Sequence, residues 1–209
     1  MDEPPAMDPY GEAYLAARET IGSSRLPAIE HLALILFLLA SDVPERAGQY
    51  LLQRVSQNLE IPLEDILRSL RKDIQTLAFI TIRDDNVSPD IDAALREREG
   101  HRCCVTGWTD NVKATYVIAP SIVYDKDLQS EGRLRPLLNA ILSEDRAEQL
   151  FSTLKLRGKE HELKNLWLMA PSVRNAYCGG HIKFAKSPYL EEEGLSVRSL
   201  GENGGERVI

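Results

Sequence analysis

Cysteine is scarce in this chain, and no apolar run is long. The three cysteines, Cys103, Cys104 and Cys178, are too few and too oddly numbered for a disulfide framework, so reduced thiols are expected. They also lack the CxxC spacing of a zinc site, and core positions suit them better. The longest apolar stretch, Leu32 to Ala40, is about half the length of a membrane span, so no membrane is expected as a partner. A basic surplus is missing too: 25 Lys and Arg stand against 32 Asp and Glu, a formal net charge of −7. Nucleic-acid binders draw much of their affinity from cations that displace phosphate counterions, so nucleic acid is not the expected partner. The opening stretch, MDEPPAMDPYGEAY, is acidic and proline-containing, the opposite of a secretory or mitochondrial leader, and a cytoplasmic location is the expectation. No repeats are found.

What is there suits one domain of moderate size, or a small domain with a helical extension. Over 209 residues, 43% are hydrophobic and 27% charged, enough apolar material for a core without disulfides or metal. Residues 1–24 mix Pro, Gly, Ser and acids and read as a loose or wrapped arm. Residues 25–95 read as helical. AIEHLALILFLLASD is apolar nearly all round, which predicts a buried helix. Asp42-Val43-Pro44 breaks it, and ERAGQYLLQRVSQNLE follows as a second helix. Pro62 opens a third, in which Leu63, Ile66, Leu67, Leu70, Ile74 and Leu77 form an amphipathic stripe. A fourth, IDAALREREG, has Asp90 as its expected cap. RCCVTG and ATYVIA, flanking Thr109-Asp110-Asn111, predict a local hairpin. Residues 121–162 read mainly as helix with a charged connector, RGKEHELK. NLWLMAP reads as an extended lead into SVRNAY, CGGHIKFAK as a glycine turn and strand, and the tail 187–209 as peripheral.

Three pieces of the C-terminal half follow one ground plan. LREREGHRCCVTG resembles an arginine-led opening that ends in Cys-x-x-Thr-Gly. ATYVIAP stands where an Ala-x-His-(Ile/Val)-(Ile/Val)-Pro segment would. NLWLMAPSVRNAYCGGHIKF stands where an asparagine, a short apolar run and a His-x-x-Phe helix would, with a closing strand. Together, over residues 95–186, they resemble the HNH-nuclease-type ββα domain found in fungal proteins. The resemblance implies an α+β fold: an N-terminal helical layer packed on a small, degenerate HNH-like hairpin–helix unit at 96–186, with a helical insertion.

That family's chemistry uses a general-base histidine, an orienting asparagine and a metal-binding histidine on the helix. The resemblance carries the asparagine onto Asn165. The base position falls on Tyr116, or on Val117 if Pro120 is matched to the family's proline, and the metal-ligand position falls on Arg174. A phenol with a pKa near ~10 is a poor base at neutral pH, and a guanidinium has no lone pair for a metal. An active nuclease is therefore not expected, nor a metal or other cofactor. Of the four histidines, His31 reads as core or cap, His101 as surface and His161 as solvated. His181, on the closing strand, is the candidate to line a pocket.

A ββα unit would bring Tyr116, Asn165 and Arg174 to one place as hydrogen-bond donors for a carbonyl or carboxylate. Trp108, Trp167 and Tyr177 would supply aromatic walls. The expectation is a small apolar organic substrate and a cofactor-independent cyclase of secondary metabolism. A pericyclase or Diels–Alderase forming a bridged terpenoid ring of norbornene type is the specific form. The alternatives are a residual metal-dependent nuclease or DNA-binding module, and a non-catalytic interaction domain using the helices of 28–79.

Overall fold

In the computed structural model the chain is described over residues 10–156, 158–178, 182–186, 195–200 and 206–208. In chain order come α1 (Glu12–Ser23), α2 (Ala28–Ala40), α3 (Pro44–Ser56), α4 (Leu63–Thr81) and α5 (Pro89–Arg98). Then follow β1 (Lys113–Tyr116), α6 (Arg135–Leu142), α7 (Glu144–Lys155), α8 (Lys159–Lys164) and β2 (Leu166–Met169). Last come α9 (Pro171–Cys178), β3 (Ile182–Lys186), β4 (Leu195–Leu200) and β5 (Glu206–Val208). Two short 3-10 turns, Pro120–Tyr124 and Lys126–Leu128, lead into α6. The architecture is mixed helical with small antiparallel sheets, as an α+β reading requires.

The chain forms two compact units, Met1–Thr81 with Ser121–Lys155, and Ile82–Pro120 with Leu156–Ile209. The divisions thus fall at different places from the sequence divisions 25–95 and 96–186. Helix α5 goes with the second unit, and the helical insertion goes with the first.

The first unit corrects two expectations. In the arm at residues 1–24, where a loose form is one of the two expectations and a wrapped one the other, Glu12–Ser23 form a helix, α1, with Tyr14, Ala17 and Ile21 buried. Its N-cap is Gly11, which has no side chain to cap with. The missing acceptor comes from α3, where Glu45 Oε2 takes the amides of Ala13 at 2.8 Å and Tyr14 at 3.1 Å, so a carboxylate sits at the positive helix end. A Cβ on Gly48 would meet the Ala13 carbonyl at 2.5 Å, so only glycine there lets the two helices approach.

The second correction concerns α2, which is not buried all round. Leu34, Phe37 and Leu38 are buried, while Ile29, Leu32, Leu36 and Leu39 are exposed. The helix turns its polar residues toward its neighbours. Glu30 meets Arg68 at 3.5 Å and Arg71 at 3.6 Å, and His31 Nε2 lies 2.9 Å from Ser24 Oγ at the end of α1. Composition says that a helix is apolar, not how many sides are covered.

Helix α4 buries Ile66, Leu67, Leu70 and Leu77 of its stripe, with Asp73 and Ile80 among them. Asp73 binds Arg54 of α3 at 2.7 Å and also Arg133. Arg135 is buried on α6 with its donors spent on Asn139, the Leu128 carbonyl and Glu148.

In the second unit the local hairpin is absent. β1 pairs antiparallel with β2, in the register Lys113↔Met169 to Tyr116↔Leu166. RCCVTG is a knuckle instead. The Cys103 amide donates to the Trp108 carbonyl at 2.7 Å, and the Gly107 amide to the Cys103 carbonyl at 2.9 Å. A positive φ of 71° at Gly107 closes the turn. The Cys104 amide then reaches the Leu168 carbonyl of β2 at 2.8 Å. Asp90 does not cap α5, because Ser88 holds the N-cap position and Pro89 begins the helix. Within the tail 187–209, β4 and β5 join β3 in an antiparallel sheet of order β3–β4–β5.

Candidate functional site

The core beneath the candidate site is one apolar cluster. Ile91 and Leu95 of α5 pack with Cys103, Val112, Ala114, Tyr116, Leu166, Leu168, Met169 and Val173. Trp167 and Tyr177 lie half-buried against it. Arg98, unremarkable in the sequence, ties the cluster's edge. Its Nη1 donates to the Leu163 carbonyl at 2.6 Å and its Nη2 to the Leu166 carbonyl at 2.8 Å. Arg96 does the same for β1, pairing with Asp92 at 2.7 Å and donating to the Val112 carbonyl at 3.0 Å.

Asn165 stands at the junction of α8 and β2 and clamps the backbone that leaves β1. Its Oδ1 accepts the Ile118 amide at 3.0 Å, and its Nδ2 donates to the Ile118 carbonyl at 2.6 Å. Its own carbonyl accepts the Val117 amide at 2.9 Å. Both hydrogen-bonding ends of the amide are used on one residue, which an ionised carboxylate, having no donor, could not match. Tyr177 of α9 adds a third tie at the same place, its hydroxyl donating to the Val117 carbonyl at 2.9 Å. Burial lifts the Tyr177 phenol above its ordinary pKa, and the neighbouring Cys178 lifts it further.

Arg174 of α9 has a different setting. Its Nη2 meets Asp84 Oδ1 at 3.1 Å, and Lys113 Nζ of β1 meets the other oxygen of Asp84 at 2.8 Å. The Lys113 hydrogen bond and the Arg174 charge hold the Asp84 carboxyl below its usual pKa. The Arg174 side chain is 22% exposed. Its Nε is buried and has no hydrogen-bond partner among the described residues.

Tyr116 points elsewhere. Its hydroxyl donates to Glu162 Oε2 of α8 at 3.2 Å. Successive side chains on a strand alternate between faces, so Lys113 and Thr115 share one face of β1 while Ala114 and Tyr116 share the other. Arg174 shares its carboxylate with Lys113, whereas Tyr116 meets α8. Tyr116, Asn165 and Arg174 thus bond with Glu162, the Ile118 backbone and Asp84 respectively.

Of the aromatic candidates, Trp108 is 69% exposed at the end of the knuckle. Trp167 faces Thr115 across the ribbon. His181 lies outside the described residues. His101 and His161 are exposed. The Cys103 thiol is buried, which raises its pKa, but hydrogen bonds from Thr106 and from the backbone of Ala170, Thr106 and Val105 outweigh that and bring it below the ordinary value.

Asp84, Lys113, Glu162 and Arg98 were not visible as site residues in the sequence. Each is one charged residue among many, and only the fold gives it a partner. A separate groove of about 580 Å³ lies in the first unit, lined by Tyr50, Gln53, Arg54, Asp73 and Arg133 among others. No family model matches this chain, and no curated protein or solved structure is significantly similar to it.

Proposed function

We propose that residues 95–186 are a degenerate HNH-like ββα unit, and that the chain uses it as a metal-independent cyclase of small organic molecules. The order β1–β2–α9 supports the ββα reading. So does the Asn165 clamp on the segment leaving β1. The observation that carries the functional reading is Arg174. A permanently charged guanidinium has its Nε buried without a partner among the described residues while its Nη2 is held in place by Asp84.

An unsatisfied buried donor costs about 1–3 kcal/mol, more when it is charged, and a ligand oxygen relieves that cost. A carbonyl or carboxylate of the substrate fits the donor. Hydrogen bonding there withdraws electron density from an attached alkene, which activates it as a dienophile. The reaction then needs only the diene held in reach. Three π bonds become two carbon–carbon σ bonds and one new π bond within the former diene, and nothing is oxidised or released. Positioning of this kind lowers barriers by up to about 7–11 kcal/mol in favourable intramolecular systems. A bridged, norbornene-type terpenoid ring is the product class we assign.

The test has two parts. The metabolites of the source organism are compared with and without this gene, and the accumulating precursor is given to purified protein in the presence of chelator. Conversion to one stereochemical product, lost in Arg174→Ala and in Arg174→Lys, supports the reading. Unchanged metabolite profiles, or chelator-sensitive nicking of plasmid by the protein, overturn it.

A further inference from the structure

Helix α3 has one buried side and one side given to a groove. Ala47, Gly48 and Leu51 are buried. Tyr50, Gln53, Arg54 and Gln57, spaced i, i+3, i+4 and i+7, instead line the groove of about 580 Å³ in the first unit. Helix α4 contributes Asp65, Ser69 and Asp73, which share one face of that helix. Arg133 and Pro136, just before and within α6, add to the lining. The volume falls in the range of roughly 300–1,000 Å³ usual for small-molecule sites.

The charges in this groove are spent on one another. Asp73 holds Arg54 at 2.7 Å through one oxygen and Arg133 through the other. Asp65 meets Arg68 at 3.4 Å, and Arg133 meets Asp127 at 3.4 Å. The lining itself has two arginines and two aspartates, so an ion of either sign finds no excess of opposite charge. What remains is uncharged and hydrogen-bonding. A guanidinium only donates, and Arg54 gives one hydrogen bond to the Tyr50 hydroxyl at 3.3 Å and one to Ser69 Oγ at 2.9 Å. Both hydroxyls therefore accept from Arg54, which leaves their own protons to be donated to a ligand. Asn58 gives its Nδ2 to the Arg54 carbonyl at 2.8 Å and keeps its Oδ1 as an acceptor. Gln53 and Gln57, both exposed and one helical turn apart, each offer a donor and an acceptor.

We propose that this groove binds an uncharged saccharide, of one or two sugar rings. Each sugar hydroxyl both donates and accepts, which suits two oriented hydroxyl donors beside three primary amides. The C–H faces of the ring are apolar and suit Ile61, Ile66 and Pro136 of the lining. A flat heteroaromatic ligand fits less well, because among the described residues the lining holds no Trp or Phe on which to stack it. The inference does not rest on the cyclase reading, since every lining residue belongs to the first unit and Arg174 to the second.

The test is an NMR titration of the full, isotope-labelled chain, followed at the side-chain amides of Gln53, Gln57 and Asn58. The probes are glucose, galactose, mannose, N-acetylglucosamine, maltose, cellobiose and trehalose, each to about 100 mM. Sodium sulfate and adenosine serve as the charged and the flat alternative. About a dozen heavy atoms at ordinary ligand efficiency give a Kd on the order of 1 mM. The expected result is a saturable shift of these amides by at least one of the sugars. Gln53→Ala combined with Gln57→Ala should weaken that binding about tenfold or more, with circular dichroism unchanged because both positions are exposed. Should the double variant lose helicity, Ser69→Ala is used instead, and a roughly threefold weakening is expected. No saturable shift from any of the sugars overturns the proposal. So does sugar binding that the variants leave unchanged, or tighter binding of sulfate or adenosine at the same amides.

Discussion

Replacing Asn165 with alanine removes two hydrogen bonds at once, at 3.0 and 2.6 Å, both to the backbone of Ile118. A hydrogen bond of this kind contributes about 1 kcal/mol net. The site is partly buried, so water only partly replaces the amide, and the expected loss is about 2 kcal/mol, within a range of roughly 1.5–3. Both tryptophans, Trp108 and Trp167, lie in the second unit, so tryptophan fluorescence in urea reports that unit selectively. With an m-value of about 1–2 kcal/mol/M, the fluorescence midpoint should fall by roughly 1–2 M. Circular dichroism, dominated by the helices of the first unit, should shift less. Exchange of the Ile118 amide should quicken about tenfold or more, while the Val117 amide, bonded to the main-chain carbonyl of residue 165, changes less. Asn165→Asp keeps an acceptor for the Ile118 amide but sets an oxygen against its carbonyl, so at neutral pH it should cost as much as alanine. A midpoint within about 0.3 M of wild type, with Ile118 exchange unchanged, would refute the clamp.

Three further outcomes follow from the same contacts. Leu38→Ala, at a fully buried position, should cost about 2–5 kcal/mol, whereas Leu36→Ala two residues earlier should change stability by under about 0.5 kcal/mol; thermal melts of both variants check the orientation of α2. Asp73→Ala leaves Arg54 and Arg133 facing each other without their shared carboxylate. With Arg133 half exposed, the loss should be about 2–3 kcal/mol, below the range for a fully buried pair, read as a lower urea midpoint by circular dichroism. The Asp84 pKa is depressed in the folded state, chiefly by the Lys113 hydrogen bond. Its contribution is therefore present above the unfolded value of about 3.9 and lost as pH falls through the lower folded value. Asp84→Asn should remove that part of the acid sensitivity of the second unit, and an NMR titration of the Asp84 carboxyl should show the depressed midpoint directly.

The local elements with strong internal signals were legible in the sequence. Pro44 and Pro62 mark helix starts that α3 and α4 follow. The α4 stripe is mostly buried as its period requires, and NLWLMAP followed by SVRNAY gives β2 and then α9. In these stretches backbone chemistry and side-chain period are both properties of neighbouring residues. Asn165 could be singled out by type and position, but its partner could not, because Ile118 lies far along the chain.

What remained hidden depends on contacts between distant segments. Helix α1 carries no cap of its own and reads as a loose arm until Glu45 of α3 supplies one. The turn signal at Thr109-Asp110-Asn111 points β1 toward its sequence neighbour, RCCVTG. The knuckle at Gly107 diverts that neighbour, and β2 takes the edge instead. Asp73, inside an apolar stripe, gives no local sign of the two arginines that make its burial tolerable. The exposed face of α2 is as apolar as its buried one, so hydrophobicity could not tell the two apart. Sequence settles what a segment can form by itself; tertiary structure decides which acceptor, strand or charge arrives from elsewhere, because a donor, a strand edge or a buried carboxylate is satisfied only by a group in contact with it in space.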